Sequence, residues 1–179
     1  MQGACPFNLR GRDVWQGTPR EPAECGGWSA DVLGRIRALQ PDVIVTAAFV
    51  GSTWSDPATG AEGYRETWAA VTDLAPVVVV RDYPTTGGAY GPECLAKNPG
   101  NHRACSVPRP QALAPDLAFD TAADAGTSVT RVDLSDLYCD EDLCHPVVGG
   151  VPVYWDADHI TGTFARSLAP VLAGRLELP

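Results

Sequence analysis

Two short runs constrain this chain more than anything else in it: Asp42 to Phe49 (DVIVTAAF) and Val77 to Arg81 (VVVVR). Continuous apolar, β-branched runs of this length read as strands buried on both faces, the pattern of a parallel sheet. Parallel neighbours need a crossover between them, and the sequence supplies one. A helix over Ala61 to Ala75 places Tyr64, Trp68 and Val71 on one face. Upstream, Ser29 is placed to cap a helix through Gln40 with the stripe Val32, Leu33, Ile36 and Leu39, stopped by Pro41. Downstream, the pattern predicts a helix over Gln111 to Ala125 and a third strand over Val129 to Leu134. Short strands are expected around Pro146 to Val148 and Val151 to Tyr154, joined at Gly149-Gly150. A final helix is expected from His159 to Arg175 with the stripe Ile160, Phe164, Leu168 and Val171. The expectation is an α/β fold with a mostly parallel sheet, built as one domain over 1–179. Met1 to Gly27 reads as loop, and Asp82 to Pro110 as an irregular insertion. With three parallel strands and a loop at the start, the first βαβ unit is expected to be missing.

Charge removes several classes of function. Asp and Glu number 22 against 13 Lys and Arg, for a net charge of -9, which opposes binding to nucleic acid or an anionic membrane. The excess is local: between Ala114 and Asp158 there are ten acids and one base, Arg131. That stretch reads as a solvated face, with a cation-binding module as the competing reading. No apolar run approaches the roughly 18 residues of a membrane helix, and no basic-then-apolar signal follows Met1.

The cysteines fall as three near neighbours: Cys5 and Cys25, Cys94 and Cys105, Cys139 and Cys144. Sequence alone does not choose among the possible pairings, but each neighbour pair brackets a Gly/Pro-rich or acidic loop. Such closures are worth roughly 3, 3 and 2 kcal/mol in the chain-entropy model. Disulfides point to an oxidising compartment outside the cytoplasm. No spacing suggests structural zinc.

The segment richest in chemistry is Tyr154-Trp155-Asp156-Ala157-Asp158-His159-Ile160-Thr161. A carboxylate three residues before an imidazole can accept from Nδ1–H and leave Nε2 to take a proton from a nucleophile. Placed where a strand ends and a helix begins, the ring would also feel a helix N-terminus that disfavours the imidazolium. The same spacing also fits a capping Asp in an ordinary polar turn.

With its surroundings the segment becomes more specific. A cysteine-closed acidic loop, the Val147-Val148-Gly149-Gly150 hairpin, the Tyr-Trp-Asp-x-x-His-Ile-Thr block and a terminal helix carrying Phe164-Ala165-Arg166-Ser167-Leu168-Ala169-Pro170 follow one another. Ala4-Cys5-Pro6, Cys25 before a Trp and a helix, Leu39 to Val45 (LQPDVIV) and Cys94-Leu95 agree with them. Across essentially its whole length the chain resembles the SGNH hydrolase-like domain at the C-terminus of acyltransferase-3 membrane proteins, which O-acylate cell-envelope glycans.

That resemblance implies a three-layer, flavodoxin-like α/β/α fold and an extracytoplasmic domain attached to a membrane acyltransferase domain. It implies transfer or hydrolysis of an acyl ester by a Ser-His-Asp triad, with Asp156 as the acid and His159 as the base. An acyl donor and a glycan acceptor would be the partners, and no cofactor or metal is required. The family's serine lies in a Gly-Asp-Ser motif after the first strand, and residues 1–179 contain no Gly-Asp-Ser. The chain is therefore expected to be an N-terminally truncated domain, inactive as it stands, without the segment that bears the nucleophile. The family's oxyanion Gly and Asn are not identifiable; Asn8, Asn98 and Asn101 all read as loop residues.

Other candidates are weaker. Gly51 and Ser52 follow the first apolar strand, where a loop can reach the sheet edge; they read as a plain turn, as a substrate or oxyanion rim, or, for Ser52, as a replacement nucleophile. Trp155 adjoins Asp156 and is a candidate for the same rim. Trp68 belongs to a core stripe, His102 reads as a surface residue, and His145, beside Asp140, Glu141 and Asp142, as part of a solvated disulfide loop with a metal site as the competing reading. Besides the enzyme, the competing function is a non-catalytic remnant that binds envelope glycan or a partner.

Overall fold

The computed structural model describes residues 5–15, 17–85, 91–157 and 159–176. It is a mixed α/β structure that divides into two compact units, Met1–Asp82 with Pro115–Val132, and Tyr83–Ala114 with Asp133–Pro179.

The first unit holds the parallel sheet. Strands β3 (Ile44–Thr46), β5 (Val77–Val80) and β7 (Val129–Val132) lie in the order β3-β5-β7, with Ile44 opposite Val77 and Val77 opposite Val129. Val77, Val78 and Val79 are all buried, as a continuous valine run demands. Ile44, Val77, Val79 and Val129 pack with Leu33 of α1 (Pro22–Leu39), Trp68 and Val71 of α2 (Pro57–Val71), and Phe119 of α5 (Leu117–Thr121). An aromatic series runs through this core: Trp54 meets Tyr64 edge-on at 5.7 Å, and Tyr64 stacks on Trp68 at 5.6 Å. Strands β1 (Val14–Trp15), β2 (Thr18–Pro19) and β4 (Ser52–Thr53) form a small antiparallel sheet.

Several local expectations give way to tertiary packing. Ser29 does not cap a helix; α1 begins seven residues earlier, with Pro at its start and Glu24 in its first turn. Ser29 is fully buried within it, accepting from the Asn8 backbone N–H and donating to the Pro6 carbonyl, both at 3.1 Å. Gly26, in the stretch read as loop, lies within α1, and the Leu9–Gly11 backbone packs against it; a Cβ there would lie 3.3 Å from the Leu9 carbonyl. The first apolar run is not buried on both faces: β3 takes three of its residues and stands at the sheet edge, with Val45 48% exposed. The helix expected over Gln111 to Ala125 is split into α4 (Arg109–Ala112) and α5. The buried Asp116 carboxylate caps α5 by accepting from Phe119 N–H at 3.0 Å, and it accepts from Asp82 N–H at 2.9 Å.

The second unit comprises α3 (Pro92–Lys97), β6 (Val107–Pro108), α4, β8 (Leu143–Cys144), β9 (Val147–Val148), β10 (Val151–Pro152) and α6 (Gly162–Leu176). β6 pairs antiparallel with β8, and β9 with β10 through the Gly149-Gly150 turn, where both residues have positive φ. The three disulfides join Cys5 to Cys25, Cys94 to Cys105 and Cys139 to Cys144, the neighbour pairing expected from sequence.

Candidate active site

The Asp156–His159 pair is carried by a hairpin rather than by a helix start. Tyr154 and Ile160 form an antiparallel bridge. On either side of it Trp155 N–H donates to His159 C=O at 2.8 Å, and Thr161 N–H donates to Val153 C=O at 2.7 Å. Thr161 also donates through its hydroxyl to Pro152 C=O at 2.7 Å and accepts from Phe164 N–H at 3.1 Å, so it caps α6. The helix thus starts at Gly162, not at His159, because the hairpin ladder claims the intervening backbone. The imidazole is therefore carried by the hairpin and not by the N-terminus of α6. Tyr154, 4% exposed, anchors that loop by donating its hydroxyl to Pro84 C=O at 2.7 Å. Burial pushes the Tyr154 phenol above its ordinary range, so it stays a donor.

Within the loop, His159 Nδ1 lies 3.0 and 2.9 Å from the two Asp156 carboxylate oxygens, and the His159 backbone N–H donates to Oδ1 at 2.8 Å. One carboxylate therefore holds both the main chain and the ring of its partner. In the tautomer with the proton on Nδ1, the basic lone pair is on Nε2, the arrangement required of a general base. Both side chains face solvent, at 71% for His159 and 45% for Asp156, and Trp155 is 76% exposed. These three are the candidates that the second unit brings together. Gly51 and Ser52 belong to the first unit; Ser52 lies in β4 opposite Trp15, and its hydroxyl lies outside the described atoms.

Asn8 is wholly buried, donating to Gly60 C=O at 2.9 Å and accepting from Arg10 N–H at 3.1 Å, and so serves the core. Asn98 Nδ2 donates to Cys94 C=O at 2.9 Å. His102 is exposed, while Trp54 and Trp68 are core residues.

One constellation is not legible in the residue order. His145 is bracketed by Ser106, whose Oγ is 3.0 Å from Nδ1, and by Asp140, whose Oδ2 is 3.0 Å from Nε2. Asp140 also accepts from Asp142 N–H at 3.0 Å and Leu143 N–H at 2.7 Å. These backbone bonds, ahead of His145, hold its carboxyl below the ordinary range. The signal is visible only in retrospect: Ser106 and His145 each follow the second cysteine of a disulfide, and the β6–β8 register sets them opposite. Among the described residues no three His, Cys, Asp or Glu converge as metal ligands, and no helix is long and apolar enough to cross a membrane.

The family model of the SGNH domain fused to AT3 domains matches residues 1–174. No curated protein matches. Among solved structures, the lipopolysaccharide acetyltransferase periplasmic domain of Salmonella ser. Paratyphi A superposes with a TM-score of 0.57 at 12% identity, covering 96% of this chain and 69% of that one. At that identity the likeness establishes the fold, which is SGNH-type. The chain, from its first residues to the last turn of α6, belongs to the family of SGNH domains fused to AT3 domains.

Proposed function

We propose that this chain works as the extracytoplasmic acyl-transfer domain of a membrane O-acyltransferase, with Asp156 orienting His159 as general base toward a serine outside residues 1–179. The observation that carries the reading is the double hold of Asp156 on His159, through both the ring Nδ1 and the backbone N–H. The family match through residue 174 supports one domain spanning both compact units, and three disulfides favour an oxidising location. The similar Salmonella domain is periplasmic and belongs to a lipopolysaccharide acetyltransferase, which supports a periplasmic placement and a glycan acceptor for this chain.

The chemistry follows from the pair. Nε2 takes the serine proton as the hydroxyl oxygen bonds to the acyl carbonyl, and Asp156 stabilises the resulting imidazolium. The proton then passes to the departing donor group, leaving a serine ester. In the second half Nε2 takes a proton from a sugar hydroxyl, or water, whose oxygen bonds to the acyl carbon; the serine ester bond breaks and the proton passes from Nε2 to the departing serine oxygen. Gly51 and Ser52 are proposed for the substrate rim on their position after β3 alone.

The test compares residues 1–179 with a longer gene product that includes any in-frame Gly-Asp-Ser upstream of Met1. The short form is expected to show negligible p-nitrophenyl acetate hydrolysis, and the longer one turnover that His159→Ala abolishes. Turnover by the short form that Ser52→Ala removes would place the nucleophile at Ser52 instead. A non-catalytic glycan-binding role draws on the exposed Trp155, and an inactive long form that still binds glycan would favour it.

A further inference from the structure

We infer that Trp155 is the acceptor-recognition residue of this domain, a stacking platform for the ring face of an uncharged pyranose whose hydroxyl is presented to His159. The inference rests on the proposed acyl-transfer reading for its direction toward a sugar. Its geometry is independent of that reading.

The hairpin register decides which way the indole goes. With Tyr154 opposite Ile160 and Trp155 N–H bonded to His159 C=O, Trp155 and His159 occupy facing positions on adjacent strands. Directly opposed residues of an antiparallel pair project from the same face, with Cβ atoms about 5 Å apart. The neighbour Tyr154, on the opposite face, is the buried anchor. The loop therefore turns one aromatic inward to hold itself and the other outward beside the imidazole.

Trp155 is 76% exposed, against 7% for Trp54 and 1% for Trp68. Its backbone N–H is bonded to His159 C=O at 2.8 Å, so the exposed indole stands on a hydrogen-bonded strand position. A solvent-facing indole flanking a base offers a flat apolar surface with few side-chain torsions to order on binding. The axial C–H face of a pyranose matches that surface, while its hydroxyls remain at the edge, where Nε2 can reach one. The Asp156 carboxylate, 2.9 Å from His159 Nδ1, disfavours an anionic sugar beside the base.

Saturation-transfer NMR and intrinsic fluorescence on residues 1–179, with methyl glucopyranoside and maltotriose as probes and sorbitol as the acyclic control, test the proposal. The expected result is millimolar binding of both pyranosides, contacts from ring C–H protons, and no binding of sorbitol. Trp155→Ala should weaken binding at least tenfold and Trp155→Phe should restore most of it. His102→Gln, at an exposed histidine outside the hairpin, should leave binding within about twofold. Undetectable pyranoside binding, or binding unchanged by Trp155→Ala, overturns the inference. In a catalytically complete longer form, Trp155→Ala should raise the acceptor KM with little change in kcat. Sugar binding that survives alongside failed acyl transfer would remove the enzymatic reading and leave the platform standing.

Discussion

His159 is bound twice by Asp156, its ring Nδ1 at 2.9 Å from Oδ2 and its backbone N–H at 2.8 Å from Oδ1. The same carboxylate holds the backbone and faces the ring Nδ1, so its two contacts separate by substitution. Asp156→Asn keeps an oxygen for the backbone N–H but offers no second anionic oxygen to the ring. In the longer gene product proposed above, this change is expected to lower kcat by on the order of 10³–10⁴, with thermal stability nearly unchanged. Asp156→Ala should also lower the melting temperature. A wild-type level of turnover in Asp156→Asn would remove the pair from the mechanism.

Tyr154 holds the hairpin from beneath. Tyr154→Phe deletes the donor to Pro84 C=O and is expected to cost about 1–2 kcal/mol in urea unfolding, with the m-value unchanged. The catalytic consequence should exceed the stability loss if the loop sets the height of His159. Equal stability of Tyr154→Phe and wild type would show that the hydroxyl does not anchor the loop.

The Ser106–His145–Asp140 chain joins two disulfide-closed loops in a Ser-His-Asp order with the imidazole reversed, Nδ1 toward serine and Nε2 toward aspartate. Ser106 is 9% exposed, which suits a clasp. Ser106→Ala is expected to destabilise by about 1 kcal/mol and to leave transfer activity unaltered. A fluorophosphonate probe should leave Ser106 unmodified in the folded protein; peptide mapping that finds it labelled would make it a nucleophile.

Two carboxylates give pH dependences of opposite sign. Arg175 donates to Asp136 through both terminal nitrogens, at 3.0 and 2.7 Å, and this bond holds the Asp136 carboxyl below its ordinary range. A depressed folded-state pKa contributes stability above the unfolded value, lost as pH falls through the folded one. Arg175→Ala should therefore lower the melting temperature slightly at pH 7, the difference vanishing in strong acid. Asp116 goes the other way, since burial raises its pKa. Its contribution is present below the ordinary carboxylate pKa and is lost as pH rises through the elevated one. Melting curves across pH 3 to about 7 separate the two effects.

Reduction should act unevenly. Loop closures of 20, 11 and 5 residues correspond to about 3, 3 and 2 kcal/mol in the chain-entropy model. Cys5→Ala with Cys25→Ala is expected to cost the most, because Cys25 is also buried within α1. Denaturant midpoints of the three double variants check the ranking.

How much was legible beforehand differs by element. The valine run of β5 and the Tyr64, Trp68 and Val71 face of α2 are local patterns, and they fold as their periodicity dictates. The Asp156-x-x-His159 contact is likewise short-range, since three residues of separation suffice to bring the carboxylate to the ring. Neighbouring cysteines meet for the same reason: a short loop closes at a small entropic cost. Other features depended on which distant segment arrives alongside. Ser29 is buried inside α1 with Pro6 and Asn8 as its partners, and Gly26 within the same helix leaves room for the Leu9–Gly11 backbone. Val45 is exposed because β3 ends the sheet, and His145 meets Ser106 across 39 residues only through the β6–β8 register. His159 stands outside α6 because Thr161 is bonded back to Val153 and Pro152. Amino-acid order specifies period and composition along the chain. Pairing across it is settled by the free energy of burying and satisfying whichever groups meet, a quantity no single segment contains.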